Sequence, residues 1–125
     1  METPLCVAVV DDDASVRRAL CRLLRVAGYA AVGFASGEEF LDALAARAPD
    51  CVLLDIHMPG MSGLRVQTRL NAAGFELPVV FITASDDADI ERRALGAGGL
   101  RVLRKPFSNA VLIEAVEAAL HGRPD

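Results

Sequence analysis

The sequence predicts an α/β domain in which one parallel sheet is covered by helices on both faces. Three observations carry this. Short continuous apolar runs, of the kind that fill strands buried on both sides, alternate with longer amphipathic stretches. The alternation repeats five times without a linker, an internal repeat or a low-complexity tract. Charged and hydroxyl residues gather just behind the apolar runs, where an open α/β sheet binds its ligands.

The first run, Leu5–Val10, reads as a strand. Behind it Val16, Leu20, Leu23, Leu24 and Ala27 share one helical face, with Arg17, Arg18, Arg22 and Arg25 off it. Asp13 is placed to cap this helix and Gly28 to end it. The second strand is Tyr29–Phe34. Ser36-Gly37-Glu38-Glu39 has capping-box spacing and opens a helix carrying Phe40, Leu41 and Leu44. Cys51–Leu54 is the third strand, followed by a helix over about Leu64 to Ala73 that Gly74 closes. Pro78–Ile82 is the fourth, followed by a helix over about Asp87 to Ala97 with Gly98-Gly99 behind it. Leu100–Leu103 is the fifth, and the last helix runs from about Asn109 to Leu120 with Ser108 as its cap. Right-handed crossovers between such units give one parallel sheet.

A chain of 125 residues is one domain, and 53% apolar residues suffice for a packed core. Residues 1–121 are expected to form it, with 122–125 a tail or the start of a linker. No apolar run approaches the ~20 residues of a membrane helix, and Met1-Glu2-Thr3-Pro4 is no cationic leader. The net charge of −4 and pI near 5.1 argue against nucleic-acid binding by this domain. Cys6, Cys21 and Cys51 are odd in number, form no CxxC and meet only two histidines, so structural zinc is not expected. They read as buried free thiols in a reduced, cytoplasmic setting. No GxGxxG follows the first strand and no GxxxxGK[ST] occurs, so a dinucleotide or P-loop site is not expected.

Chemistry gathers behind the strands. Asp11, Asp12 and Asp13 follow the first, Asp55 the third, Thr83 the fourth and Lys105 the fifth. Asp13 serves as a helix cap, but capping does not account for Asp12 and Asp55 together. Several carboxylates at one mouth repel each other, and a divalent cation relieves this. An all-oxygen site with one or two carboxylates suits Mg²⁺, which shares its coordination with waters and phosphate oxygens. Asp55 precedes Ile56-His57-Met58-Pro59-Gly60-Met61-Ser62-Gly63, a stretch rich in turn residues, so its carboxylate is expected to face solvent on a loop. An aspartate can act as a nucleophile and form an acyl phosphate. Of the thirteen cationic residues twelve are Arg, and Lys105 alone carries a flexible ammonium. Carboxylate nucleophile, metal-binding acids, hydroxyl and ammonium are the parts phosphoryl transfer to aspartate needs.

The segments Val9-Val10-Asp11-Asp12-Asp13, Leu53-Leu54-Asp55-Ile56-His57-Met58-Pro59-Gly60-Met61-Ser62-Gly63, Ile82-Thr83-Ala84 and Arg104-Lys105-Pro106-Phe107, with their spacings, resemble the receiver domains of bacterial two-component response regulators, and most closely the FixJ-like subgroup. The resemblance covers nearly the whole chain. It implies a flavodoxin-like sheet of strand order 2-1-3-4-5. It implies that Asp55 accepts a phosphoryl group from a sensor histidine kinase or phosphotransfer protein. Mg²⁺ would be held by Asp12 and Asp55, by Asp11 through water, and by the backbone carbonyl of His57. Thr83 would contact the phosphoryl group, Lys105 would pair with Asp55 or its phosphoryl group, and the Lys105–Pro106 bond would be cis. Such a domain catalyses only its own phosphorylation and dephosphorylation, so it is not expected to be an enzyme acting on separate substrates.

One position departs from the family. Three residues before the lysine, where an aromatic ring is usual, this chain has Val102, whose β-branched side chain has little freedom to rotate. The resemblance also implies an output or homodimer face over the fourth helix, fifth strand and fifth helix, where Ile113 lies off the main apolar stripe and Arg101 and Arg104 offer charges. His57 and Ser85 would flank the phosphoryl position. Two other readings stand beside the switch. One is a phosphate-independent, receiver-like binding module, which the missing ring keeps open and the intact acidic pocket, Thr83 and Lys105 argue against. The other is a phosphohydrolase with Asp11 as nucleophile, which leaves the Asp55 loop unexplained and calls for a longer chain.

Overall fold

A computed structural model describes residues 3–121; the expected tail, 122–125, and the first two residues of the chain lie outside the described residues. Ten elements alternate: β1 (Cys6–Val10), α1 (Ala14–Val26), β2 (Ala30–Phe34), α2 (Gly37–Leu44), β3 (Cys51–Asp55), α3 (Gly63–Ala72), β4 (Val79–Thr83), α4 (Ala88–Gly96), β5 (Arg101–Arg104) and α5 (Asn109–His121). All strand pairs are parallel and the order is β2-β1-β3-β4-β5, the flavodoxin-like order.

Side chains that alternate along each strand divide the core into two layers. Val7, Val9, Cys51, Leu53, Val80 and Ile82 point to the face covered by α1 and α5, through Leu20, Leu24, Leu112 and Val116. Ala8, Val10, Val52, Leu54, Val79 and Phe81 point to the face covered by α2, α3 and α4, through Phe40, Leu44, Val66, Leu70 and Ala94. Every residue of β1, β3 and β4 is buried, as central strands of a doubly covered sheet require. The edge strands β2 and β5 are only partly covered.

Local sequence sets the helix ends. The Asp13 carboxylate accepts from the Ser15 and Val16 amides and caps α1; Ser36 and Ser62 cap α2 and α3 in the same way. Gly28, at φ +100°, turns the chain out of α1 into β2, a conformation that other residues rarely adopt. The Val111 amide donates to Ser108 Oγ, the cap expected for α5.

Two boundaries differ from the sequence reading in an informative way. β3 and β4 each extend by one polar residue, to Asp55 and Thr83. The β3–β4 ladder continues past the apolar runs: Asp55 stands opposite Ile82, and the Ile56 amide donates to the Ile82 carbonyl. Ile113 is half-buried and packs against the α1/α5-side core rather than standing off it. The three cysteines are free and buried, as expected. No described helix is long and apolar enough to cross a membrane.

Candidate functional site

The carboxyl ends of β1, β3 and β4 bring Asp11, Asp12, Asp55 and Thr83 to one mouth of the sheet. Asp11 follows β1, and its amide extends the ladder to the Phe34 carbonyl. Its Oδ1 accepts from the Asp13 amide at 2.9 Å, so the residue that caps α1 also orients Asp11. Arg17, one turn into α1, donates from Nη1 to the Asp11 carbonyl at 2.7 Å. Sequence reasoning assigned Arg17 only to the polar face of its helix.

Asp55 does not face solvent on a loop. It is the last residue of β3 and only 5% exposed. The turn-rich stretch behind it does not project outward. The Gly63 amide donates to the Ile56 carbonyl at 2.9 Å, and Ile56 and Met58 are buried. Gly63 is needed there, because a Cβ on it would run into the Asp55 carbonyl oxygen. The loop therefore curls back over the strand end, beside the buried Asp55.

The ligating oxygens of Asp11, Asp12 and Asp55 all lie within 4.8 Å of one another, with Asp12 exposed and the other two buried. Burial raises the Asp55 pKa from 3.8 to about 6. The Asp11 carboxylate adds to the rise, and Lys105 and the hydrogen bond from the His57 amide oppose it. This donor set, hard oxygens bearing mutual repulsion and no sulfur or ring nitrogen, fits Mg²⁺. The imidazole of His57 stands outside the cluster.

Lys105 comes to the same mouth, its amide continuing the β4–β5 ladder to the Thr83 carbonyl at 2.8 Å. The resemblance implies that Lys105 pairs with Asp55 or its phosphoryl group; in the unphosphorylated domain Nζ lies 3.4 Å from Asp11 Oδ2. Asp55 feels Lys105 through its charge. The Lys105–Pro106 peptide is cis, as the resemblance implied. Thr83 is buried, and its Oγ1 accepts from the Ser85 amide at 3.0 Å. The same oxygen lies 3.0 Å from His57 Nε2, a contact that sequence spacing did not reveal. Val102 is half-buried against the α2/α3/α4-side core.

Known proteins are similar to the chain in sequence and in fold. The family model for the response regulator receiver domain matches residues 7–117. The chain is 42% identical over 114 residues to the transcriptional regulatory protein TdiR of Thauera aromatica, covering 91% of this chain and 50% of that one. It is 38% identical over 120 residues to the transcriptional regulatory protein FixJ of Azorhizobium caulinodans, covering 96% of this chain and 57% of that one. Among solved structures, a response regulator receiver protein from Burkholderia phymatum is similar with a TM-score of 0.83 and 54% identity, covering 93% of this chain and 94% of the other. The chain spans about half the length of the curated relatives it matches. By sequence and by fold alike, the chain belongs to the receiver domains of two-component response regulators, the FixJ-like ones included.

Proposed function

We propose that the domain is a phosphorylation-dependent switch in which Asp55 is the acceptor. The observation that carries this reading is the buried Asp55 carboxylate at the carboxyl end of β3, its oxygens within 4.8 Å of those of Asp11 and Asp12. A carboxylate oxygen of Asp55 attacks the phosphorus of a phosphohistidine on a sensor histidine kinase or phosphotransfer protein. The O–P bond forms as the N–P bond breaks, and the departing imidazole nitrogen keeps the electron pair and takes up a proton.

Asp12 and Asp55 would hold Mg²⁺, with Asp11 acting through water and the His57 carbonyl completing the protein's share. Bound there, the ion supplies positive charge against the repulsion between carboxylate and phosphoryl oxygens. The chain's own groups do the rest. With a pKa near 6, Asp55 is mostly ionised above neutrality and available as nucleophile. Lys105, 29% exposed on a flexible stem, can swing its ammonium from Asp11 to a phosphoryl oxygen. The Thr83 hydroxyl offers a hydrogen bond to another such oxygen. The conformational change that follows would act on an output domain or partner protein. The α4–β5–α5 face is the candidate surface, for a homodimer as well, and the domain itself would not touch nucleic acid.

The test is intact mass after incubation with a small acyl phosphate, with and without Mg²⁺, beside an Asp55→Asn variant. One phosphoryl adduct that needs both Mg²⁺ and Asp55 is the expected result. A second reading, a module that signals without phosphate, rests on Val102. It gains if the folded wild-type protein binds Mg²⁺ yet takes no adduct.

A further inference from the structure

Val102 leaves β5 without a ring to carry the state of Asp55 toward α4. A different set of contacts spans that distance. Asp55 Oδ1 accepts from the His57 amide at 3.2 Å. His57 Nε2 lies 3.0 Å from Thr83 Oγ1, which also accepts from the Ser85 amide at 3.0 Å. Ser85 Oγ accepts from the Asp87 amide at 3.1 Å. Asp87 is the N-cap of α4, and its Oδ1 accepts from the Asp89 amide at 2.9 Å. The chain of bonds runs without a gap from Asp55 to the first turn of α4.

We propose that His57 is a positioning residue that fixes the Thr83 hydroxyl and, through Ser85 and Asp87, couples the state of Asp55 to helix α4. The inference rests on Asp55 being the phosphoryl acceptor and names how that site is read out.

The hydrogen-bonding capacity of the Thr83 hydroxyl is small. A threonine hydroxyl has one proton to give and two lone pairs to accept with. The Ser85 amide occupies one lone pair. With its proton on Nε2, His57 occupies the other and leaves the Thr83 proton free for a phosphoryl oxygen. With its proton on Nδ1, His57 receives the Thr83 proton, and the hydroxyl must let go before it can turn toward Asp55. In both cases Thr83 cannot reorient without disturbing its bond from the Ser85 amide. That amide belongs to the backbone leading into the α4 cap. His57 is itself exposed, so it contributes little to folding and is free to serve this contact.

The experiment compares the wild type with His57→Ala and His57→Gln. Backbone amide shifts of Ser85, Asp87 and Asp89 are recorded before and after saturation with Mg²⁺ and beryllofluoride, a tetrahedral phosphoryl mimic. Saturation is checked by fluorine spectra of the bound mimic, so the proteins are compared at equal occupancy. In the wild type these amides are expected to move. In His57→Ala the movement is expected to fall to about half or less, and His57→Gln, which keeps an N–H and an acceptor at similar reach, to restore most of it. A second readout needs no mimic. The chain has only two histidines, so the His57 ring nitrogens are readily assigned, and a Thr83→Val change is expected to shift Nε2. Equal α4 movement in His57→Ala and wild type, at equal occupancy, overturns the coupling while leaving Asp55 as acceptor. A folded wild type that binds no beryllofluoride and takes no phosphoryl adduct overturns the acceptor reading, and the coupling with it.

Discussion

The two halves of the site rest on very different foundations. Asp11 and Asp55 stand at the ends of β1 and β3, in which every residue is buried. Lys105 follows β5, where only Leu103 is buried, and the preceding helix α4 buries Ala94 alone. Leu95 and Leu100 in that region leave 43% and 55% of their surface in water. Local opening costs least where few apolar contacts are buried. The acid half is therefore firmly packed, and the half carrying Lys105 and α4 is packed more loosely, with Thr83 between them at the end of the fully buried strand β4. Phosphoryl chemistry needs the first property and a switch needs the second.

The strongest way to break this comparison is to cut into each half by the same chemistry. Leu53 is fully buried in β3, and Leu53→Ala is expected to cost about 3–4 kcal/mol by urea unfolding. Leu95→Ala in α4 is expected to cost about 0.5 kcal/mol or less, because much of that side chain is already solvated. Similar losses at both positions would mean that α4 is anchored as firmly as β3.

The firmly packed half also stores a cost, and Asp55→Asn measures it. The folded pKa of Asp55, about 6, lies above the ordinary 3.8. Between those values the folded state binds more protons than the unfolded one, so this residue's contribution to stability falls as pH rises through that window. The penalty is complete about one unit above pH 6. In divalent-free buffer at pH 7.5, Asp55→Asn is expected to be more stable than the wild type by about 2 kcal/mol, with the gain vanishing below about pH 4. Unfolding of both proteins across that range is the measurement. A gain independent of pH would show that the buried charge is not its origin. Added Mg²⁺ is expected to narrow the gap, by stabilising the wild type more than the variant.

The same contrast explains what was legible in the sequence. All ten elements could be placed because apolar runs, caps and terminal glycines are local signals: Asp13, Ser36 and Gly28 act within a few residues of themselves. The last residues of β3 and β4 could not, since Asp55 looks like a loop residue, Thr83 suits strands and turns alike, and both join strands only through a ladder with distant partners. That Asp11, Asp12, Asp55, Thr83 and Lys105 gather at one mouth was legible, because they follow apolar runs that must end at one edge. Their pairings were not. Whether Lys105 meets Asp11 or Asp55, and that His57 reaches Thr83 rather than water, depend on loop paths that side-chain spacing does not encode. The same holds for the burial of Asp55. It follows from Gly63 letting the loop close on the strand, a close approach visible only in three dimensions.

Finer discrimination comes from the contact that joins the two elements of the loosely packed half. Arg104 Nη2 on β5 lies 3.5 Å from Glu91 Oε2 on α4, with side chains 51% and 44% exposed. Charges so exposed gain little, since water screens them and two long side chains must be held in place. A double-mutant cycle with Arg104→Ala and Glu91→Ala is expected to give a coupling of about 0.5 kcal/mol or less, weakening as salt is raised. A coupling well above 1 kcal/mol that survives high salt would change the picture. It would mean that α4 is fastened to β5 by charge where apolar burial is missing. The loosely packed half would then be held by a bond that has to break before the helix moves, and Arg104→Ala would loosen α4 without any signal at Asp55.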